Sequence, residues 1–222
     1  MRMTPTDQIA LKDLLAGHGE KSSSVSLRSI AGRIRAGAIF IYPTETIYGI
    51  GGSQSVPGVK ERIFQAKQRA PDNELILIAP DRTFFSKIPL IVPPSAEILA
   101  AAFWPGRLTL VLPLRNEAAS IAIRIVQHPF IEAIFRFLDA PLFSTSANIS
   151  GEAYRDDPAA ISALFAGRID FMIDAGRLPE SPASTVVKVG RDGAVEVLRK
   201  GAIGTDRIRE ALKAGSKKAG VL

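Results

Sequence analysis

The chain has 222 residues, 46% of them hydrophobic, and no cysteine, so it can bury one sizeable core but cannot use disulfides, thiolate metal sites or a cysteine nucleophile. No apolar run approaches the roughly 20 residues of a membrane-spanning helix, and acids interrupt the apolar N-terminus, unlike a signal peptide, so a cytoplasmic protein with no membrane partner is expected. The net charge of +6 is concentrated late: seven of the 28 basic residues lie from Arg199 onward against two of the 22 acids, leaving +5 there and +1 on the first 198 residues.

That distribution suits a local anion site plus an auxiliary contact at the C-terminus better than a broad nucleic-acid-binding face. Residues 1–23 read as an N-terminal helical extension, 24–203 as the main domain and 204–222 as a C-terminal helix with a basic tail whose charge is dispensable for chemistry. Leu27, Ile30, Ala31 and Ile34 share one helical face, and Gly37 stops that helix. Residues 38–42 then read as a buried strand. Pro57 suits the first turn of a helix with Val59, Ile63 and Ala66 inward. Residues 75–79 form a continuous apolar strand, Ser95 can cap a helix running to Phe103, and 108–114 is the next strand. Within 121–126 the alternation sends Arg124 to the face opposite the isoleucines. Ile131, Ile134, Phe135 and Leu138 mark a helix, 141–145 a strand, and Pro158 opens a helix behind Asp157. Residues 184–189 and 194–198 read as strands joined through Asp192 and Gly193, a hairpin signal. Thr205 caps a last helix with Ile208, Ala211 and Leu212 inward. The sum is a single α/β domain, a twisted mixed parallel/antiparallel sheet flanked by helices, with a basic concave cleft.

Much common machinery is excluded. Two histidines far apart in sequence, His18 and His128, build no common zinc site. There is no phosphate-binding P-loop, Gln54 breaks the dinucleotide pattern of the glycines after Tyr48, and no nucleophile elbow occurs. Four polar islands remain. PTETIYG at 43–49 ends the first core strand, where ligands of open α/β sheets tend to sit. KQR at 67–69, followed by Pro71, Asp72 and Asn73, ends a helix: a phosphate clamp of point charge and planar fork, or cations placed to suit the helix dipole. Arg124 is one charge in an apolar strand, costly unless paired or functional. STSANISG at 144–151 offers small donors and acceptors that suit a phosphate or ribose, or an ordinary polar turn.

Together with FWPGRLT at 103–109, AIRI at 122–125, HP at 128–129, STVV at 184–187 and LRKG at 198–201, these islands resemble, in order, the YrdC-like family. Its members include threonylcarbamoyl-AMP synthases, which start the formation of threonylcarbamoyladenosine in tRNA. The resemblance runs from about Ser24 to Gly201. It implies a nucleotidyltransferase that joins L-threonine, bicarbonate and ATP into L-threonylcarbamoyladenylate and pyrophosphate, with Mg²⁺ accompanying ATP and no metal ligand from the protein. A carbamate carries its own oxyanion nucleophile, so positioning and charge neutralisation suffice. By the same resemblance Lys67 and Arg69 form the catalytic phosphate-holding pair. Asn73, Ser146, Asn148, Ser184 and Arg199 join them in binding ATP. Thr46, Arg124 and Ser144 hold threonine, Arg124 through the carboxylate, and residues 103–106 make a structural corner. Further implied partners are tRNA or double-stranded RNA and a downstream threonylcarbamoyl-transferase complex.

The chain departs from the family pattern at several positions. Ala70 and Glu74 replace prolines, Ile78 a histidine near the threonine, Tyr154 a serine and Lys200 the proline of Arg-Pro-Gly. The run 75–79 and the Arg-Lys-Gly ending look like the short bacterial form, without the added C-terminal domain of longer members. Two rival readings are an RNA-binding or ribosome-associated protein on the same fold, and carbamoyl-adenylate synthesis with a different amine.

Overall fold

The computed structural model describes residues 7–16, 26–70, 75–115 and 118–218. Ten strands form one sheet: β1 (Asp7–Ala10), β2 (Phe40–Tyr42), β3 (Gly49–Ser53), β4 (Ile76–Ala79), β5 (Leu108–Pro113), β6 (Ser120–Ile125), β7 (Leu142–Ser146), β8 (Phe171–Asp174), β9 (Thr185–Val189) and β10 (Val195–Arg199). Their order is β1-β8-β2-β3-β7-β4-β6-β5-β9-β10. The β1–β8, β2–β8, β4–β6 and β5–β9 pairs are parallel and the other five antiparallel, so the sheet is mixed as expected.

Among the described residues the sheet is accompanied by seven α-helices: α1 (Leu11–Ala16), α2 (Leu27–Arg35), α3 (Val59–Lys67), α4 (Pro94–Phe103), α5 (Pro129–Ile134), α6 (Pro158–Leu164) and α7 (Thr205–Lys218). Local chemistry sets several starts. Ser26 Oγ caps α2 by accepting from Ser29 N at 3.1 Å, Asp157 caps α6 through Ala159 N at 2.9 Å, and α5 and α6 each open on proline. Alternation along β2 sends Phe40 and Tyr42 into one buried cluster with α2 and α5. Ile39 and Ile41 enter the other, with α3 and α6. Helices therefore cover both faces at that end of the sheet.

Four expectations are corrected. Residues 1–23 are not simply a helical extension: 7–10 form an edge strand pairing with β8 before the short α1. Pro57 precedes its helix, which begins at Val59 behind Gly58, where φ is 81°. Ser95 lies inside α4 and donates to Gly193 O at 2.8 Å instead of capping. Thr205 opens α7 as its first residue instead of capping it from outside, while the expected inward face packs on α4: Ile208 is buried, and a Cβ on Gly215 would fall 2.4 Å from Ile98. Besides β1, two more strands absent from the sequence reading, β3 and β8, occupy the sheet interior. β3 is glycine-rich because its neighbour leaves no room: a Cβ on Gly51 would stand 1.9 Å from Phe143 O.

Candidate active site

The polar islands meet at a cleft of about 260 Å³ on the face of the sheet where β3, β7, β4, β6 and β9 present Gly49, Ser144, Ile76, Arg124 and Val186, with Ser184 just ahead of β9. Cross-strand register sets this up. Ser146 pairs with Gly49, Ile76 with Ser144, and Ile78 with Arg124, so side chains far apart in sequence share one face.

Arg124, only 4% exposed, is held by its surroundings. Its Nε donates to Gly106 O at 2.9 Å, and its Nη2 donates to Glu45 Oε1 at 2.8 Å and Thr46 Oγ1 at 3.2 Å. The corner at 103–106 thus supplies a carbonyl that aims the guanidinium. Thr46 is fixed in turn by Thr44, whose Oγ1 accepts from Thr46 N at 3.2 Å and donates to Ile47 O at 2.7 Å. Arg124 Nη1 has no hydrogen-bond partner among the described residues, so half of the fork remains for an anion. The second oxygen of Glu45 is buried and has no hydrogen-bond partner among the described residues.

On the other side, Arg199 donates to Ser184 O through Nε at 3.2 Å and Nη2 at 2.9 Å, and to Ser184 Oγ at 3.1 Å. Ser184 Oγ also lies 2.9 Å from Thr109 Oγ1. This contact needs Gly201, since a Cβ there would sit 2.2 Å from Ala183 O. Burial, and next the Arg124 charge, lower the pKa of Arg199. Arg69 Nη1 donates to Thr145 Oγ1 at 3.1 Å. Three guanidinium groups, from the end of α3, from β6 and from β10, therefore line the cleft, and among the described residues no carboxylate lines it.

Lys67 does not line it. Gln68, at φ 52°, closes α3 in the left-handed region, and the chain turns so that Lys67 is buried while Arg69 reaches the cleft. Lys67 Nζ donates to Ser146 O, to Asn148 O at 2.6 Å and to Asn148 Oδ1 at 3.3 Å, while Lys67 O accepts from Ser150 N at 3.0 Å. Burial, and next the charge of Arg69, pull its pKa down to about 7. Asn148 is similarly engaged: Oδ1 accepts from Ser146 Oγ at 2.6 Å and Nδ2 donates to Glu152 O at 2.7 Å. Lys67 and Asn148 shape the 146–150 turn from behind.

Thr46, Arg69, Arg124, Ser144, Ser146, Asn148, Ser184 and Arg199 are thus brought together at the cleft, Lys67 lies beneath it, and Asn73 lies outside the described residues. Sequence reasoning assigned no role to Glu45, Thr109, Thr145 or Tyr48, nor to Tyr154, which also lines the cleft. A lone buried arginine demands a counter-ion, and that signal could have found Glu45. A larger cavity of about 430 Å³, walled by Phe85, Leu110, Leu112 and Ile123, holds none of the expected residues and lies on the face of β6 opposite Arg124. Among the described residues no trio of His, Asp or Glu side chains is placed to hold a metal ion, and no helix is long and apolar enough to cross a membrane.

The family model for Sua5, YciO and YrdC, described as "Telomere recombination", matches residues 33–201. The chain belongs to this family. It is 31% identical over 201 residues to the threonylcarbamoyl-AMP synthase of Pyrococcus abyssi (strain GE5 / Orsay), a match covering 87% of this chain and 59% of that protein. It is 31% identical over 191 residues to the enzyme of the same name from Bacillus subtilis (strain 168), covering 82% and 55%. The chain thus spans little more than half the length of these relatives. Among solved structures, Sua5 of P. abyssi complexed with L-threonine superposes with a TM-score of 0.78 at 29% identity, covering 92% of this chain and 60% of that one. YciO of E. coli shares the fold at a TM-score of 0.75 and 21% identity, over 93% of this chain and 100% of that one.

Proposed function

We propose that the chain forms L-threonylcarbamoyladenylate and pyrophosphate from L-threonine, bicarbonate and ATP, in the cytoplasm, as the first step of threonylcarbamoyladenosine formation in tRNA. The observation that carries the reading is the convergence of Arg69, Arg124 and Arg199 on one cleft. Such a site suits a substrate set with several negative charges, here a triphosphate and an amino-acid carboxylate. Relatives named threonylcarbamoyl-AMP synthase, and a Sua5 structure holding L-threonine, support it.

In this reading the free edge of Arg124 takes the threonine carboxylate, with Thr46 and Ser144 beside it. Arg69, Arg199 and the 146–150 turn take the nucleotide. Threonine's amine and bicarbonate give a carbamate with loss of water; its oxygen attacks the α-phosphorus, and the bond to the β-phosphate oxygen breaks as pyrophosphate leaves. The chain's task is to hold both substrates in line and to offset charge as it shifts onto pyrophosphate. Mg²⁺ would be carried by the phosphates, where it supplies charge neutralisation. The adenylate then passes to a threonylcarbamoyl-transferase complex acting on tRNA.

Incubation with ATP, L-threonine and ¹³C-bicarbonate tests the reading by mass spectrometry. It predicts an adenylate of threonylcarbamate that carries the labelled carbon. An adenylate without the label, or labelled product with another amine in preference to threonine, would overturn it.

A further inference from the structure

Tyr48 sends its polar atoms to three different loops around the cleft. Its carbonyl accepts from Ala147 N at 2.9 Å, inside the turn that carries Ser146 and Asn148. Its N–H donates to Tyr154 Oη at 2.8 Å, in the 151–157 loop. Its hydroxyl donates to Gly176 O at 2.7 Å and accepts from Ala175 N at 2.9 Å, where the chain leaves β8 for β9. The ring is fully buried in the cluster of Ile41, Ile50 and Phe165, so it has no room to swing.

The 175–184 connection has few alternatives of its own. It runs from the second strand in the sheet order to the ninth in ten residues, two of them proline, and ends on Ala183 and Ser184 in the cleft wall. Where it is pinned at 175–176 therefore bears on where Ser184 stands. It is tied to the 151–157 loop again at the surface, by Arg177 to Asp156 and Asp157, both at 3.2 Å. The amino-acid half of the site hangs on other supports. Thr46 is held by Thr44 and Arg124, Arg124 by Gly106 and Glu45, and Ser144 by its place in the β7 ladder.

We infer that Tyr48 is a positioning residue for the nucleotide half of the cleft, fixing three loops from one buried side chain and its backbone. The inference rests on the proposed function for the assignment of those loops to nucleotide. Removing only the hydroxyl, in Tyr48→Phe, leaves Ala175 N and Gly176 O without their partner and the ring in place. Arg177→Ala loosens the same two loops from outside without touching the core.

Isothermal titration of ATP and, separately, of L-threonine into the wild type and both variants tests this, with amide hydrogen exchange of residues 147–184 alongside. Tyr48→Phe should weaken ATP binding about 3- to 10-fold, the scale of one or two hydrogen bonds, and Arg177→Ala less. Threonine binding should stay within about twofold, a split that a general loss of stability does not produce, and exchange at Ala175 should quicken. If Tyr48→Phe does not fold, Arg177→Ala alone must show the split. ATP binding unchanged in every folded variant, or equal losses for both ligands, would overturn the inference. A wild type that binds no ATP would instead sink the functional reading, and the inference with it.

Discussion

Lys67 and Arg69 are two residues apart yet serve different places, because Gln68 between them adopts φ 52° and reverses the chain. The Lys67 ammonium faces three oxygens that favour its charge, while burial and Arg69 oppose it and bring its pKa from 10.5 to about 7. The folded-state pKa lies below the unfolded one, so from about pH 7 to 10.5 the unfolded chain binds more protons and stability rises with pH. The slope is at most about 1.4 kcal/mol per pH unit. Urea unfolding of wild type and Lys67→Met across pH 7.5 to 9.5, ~two units inside that window, should show the wild type gaining on the variant as pH rises. Parallel curves would mean that the three oxygens keep Lys67 charged. At this scale the sequence showed which residues matter better than how. Arg124 stood out because a charge in an apolar strand needs a partner. Glu45 did not, since an acid in a turn behind Pro43 and Thr44 looks solvated until the sheet brings Arg124 to 2.8 Å. Nothing local announces that Lys67 turns inward.

The helices were legible where apolar spacing met a stop or a helix-opening pair, as in α2 ahead of Gly37 and α6 behind Asp157. β9 and β10 were legible through the turn at Gly193, where φ is 82°. β3 was not: Gly49, Gly51 and Gly52 have no side chains to alternate, and glycine weakens an isolated strand. Its residues are set by the approach of β7, which is invisible before the fold exists. The same contact makes a prediction. Gly51→Ala would place a methyl 1.9 Å from Phe143 O and force apart the interior strands β3 and β7, which carry Gly49 and Ser144. Chemical denaturation should show a loss of about 3 kcal/mol or more, within the range of overpacked cores. A change below about 0.5 kcal/mol, the size of an ordinary surface substitution, would show that β3 and β7 do not approach as described.

At the scale of the whole molecule, the site exists only through long-range pairing. Thr46, Arg69, Arg124, Ser144 and Arg199 come from five segments that a ten-stranded order brings to one face. The sequence carried that arrangement as an ordered set of islands and a family resemblance, not as geometry. The rise of β1 and β8 into the sheet, and the packing of α7 on α4, came from contacts that no local pattern specifies. What the arrangement offers is charge compensation and alignment, with no side-chain nucleophile among the assigned roles. In the proposed reaction a carbamate forms before pyrophosphate leaves, so neither threonine nor bicarbonate alone should release it. A hydroxyl-reading site rejects an analogue lacking the hydroxyl, by roughly 10⁴-fold in favourable cases. Thr46 and Ser144 put such groups beside Arg124. The most direct measurement is pyrophosphate release with each component omitted in turn and with valine in place of threonine. The account predicts release that requires ATP, Mg²⁺, bicarbonate and threonine together and falls sharply with valine; release that continues without bicarbonate would contradict it.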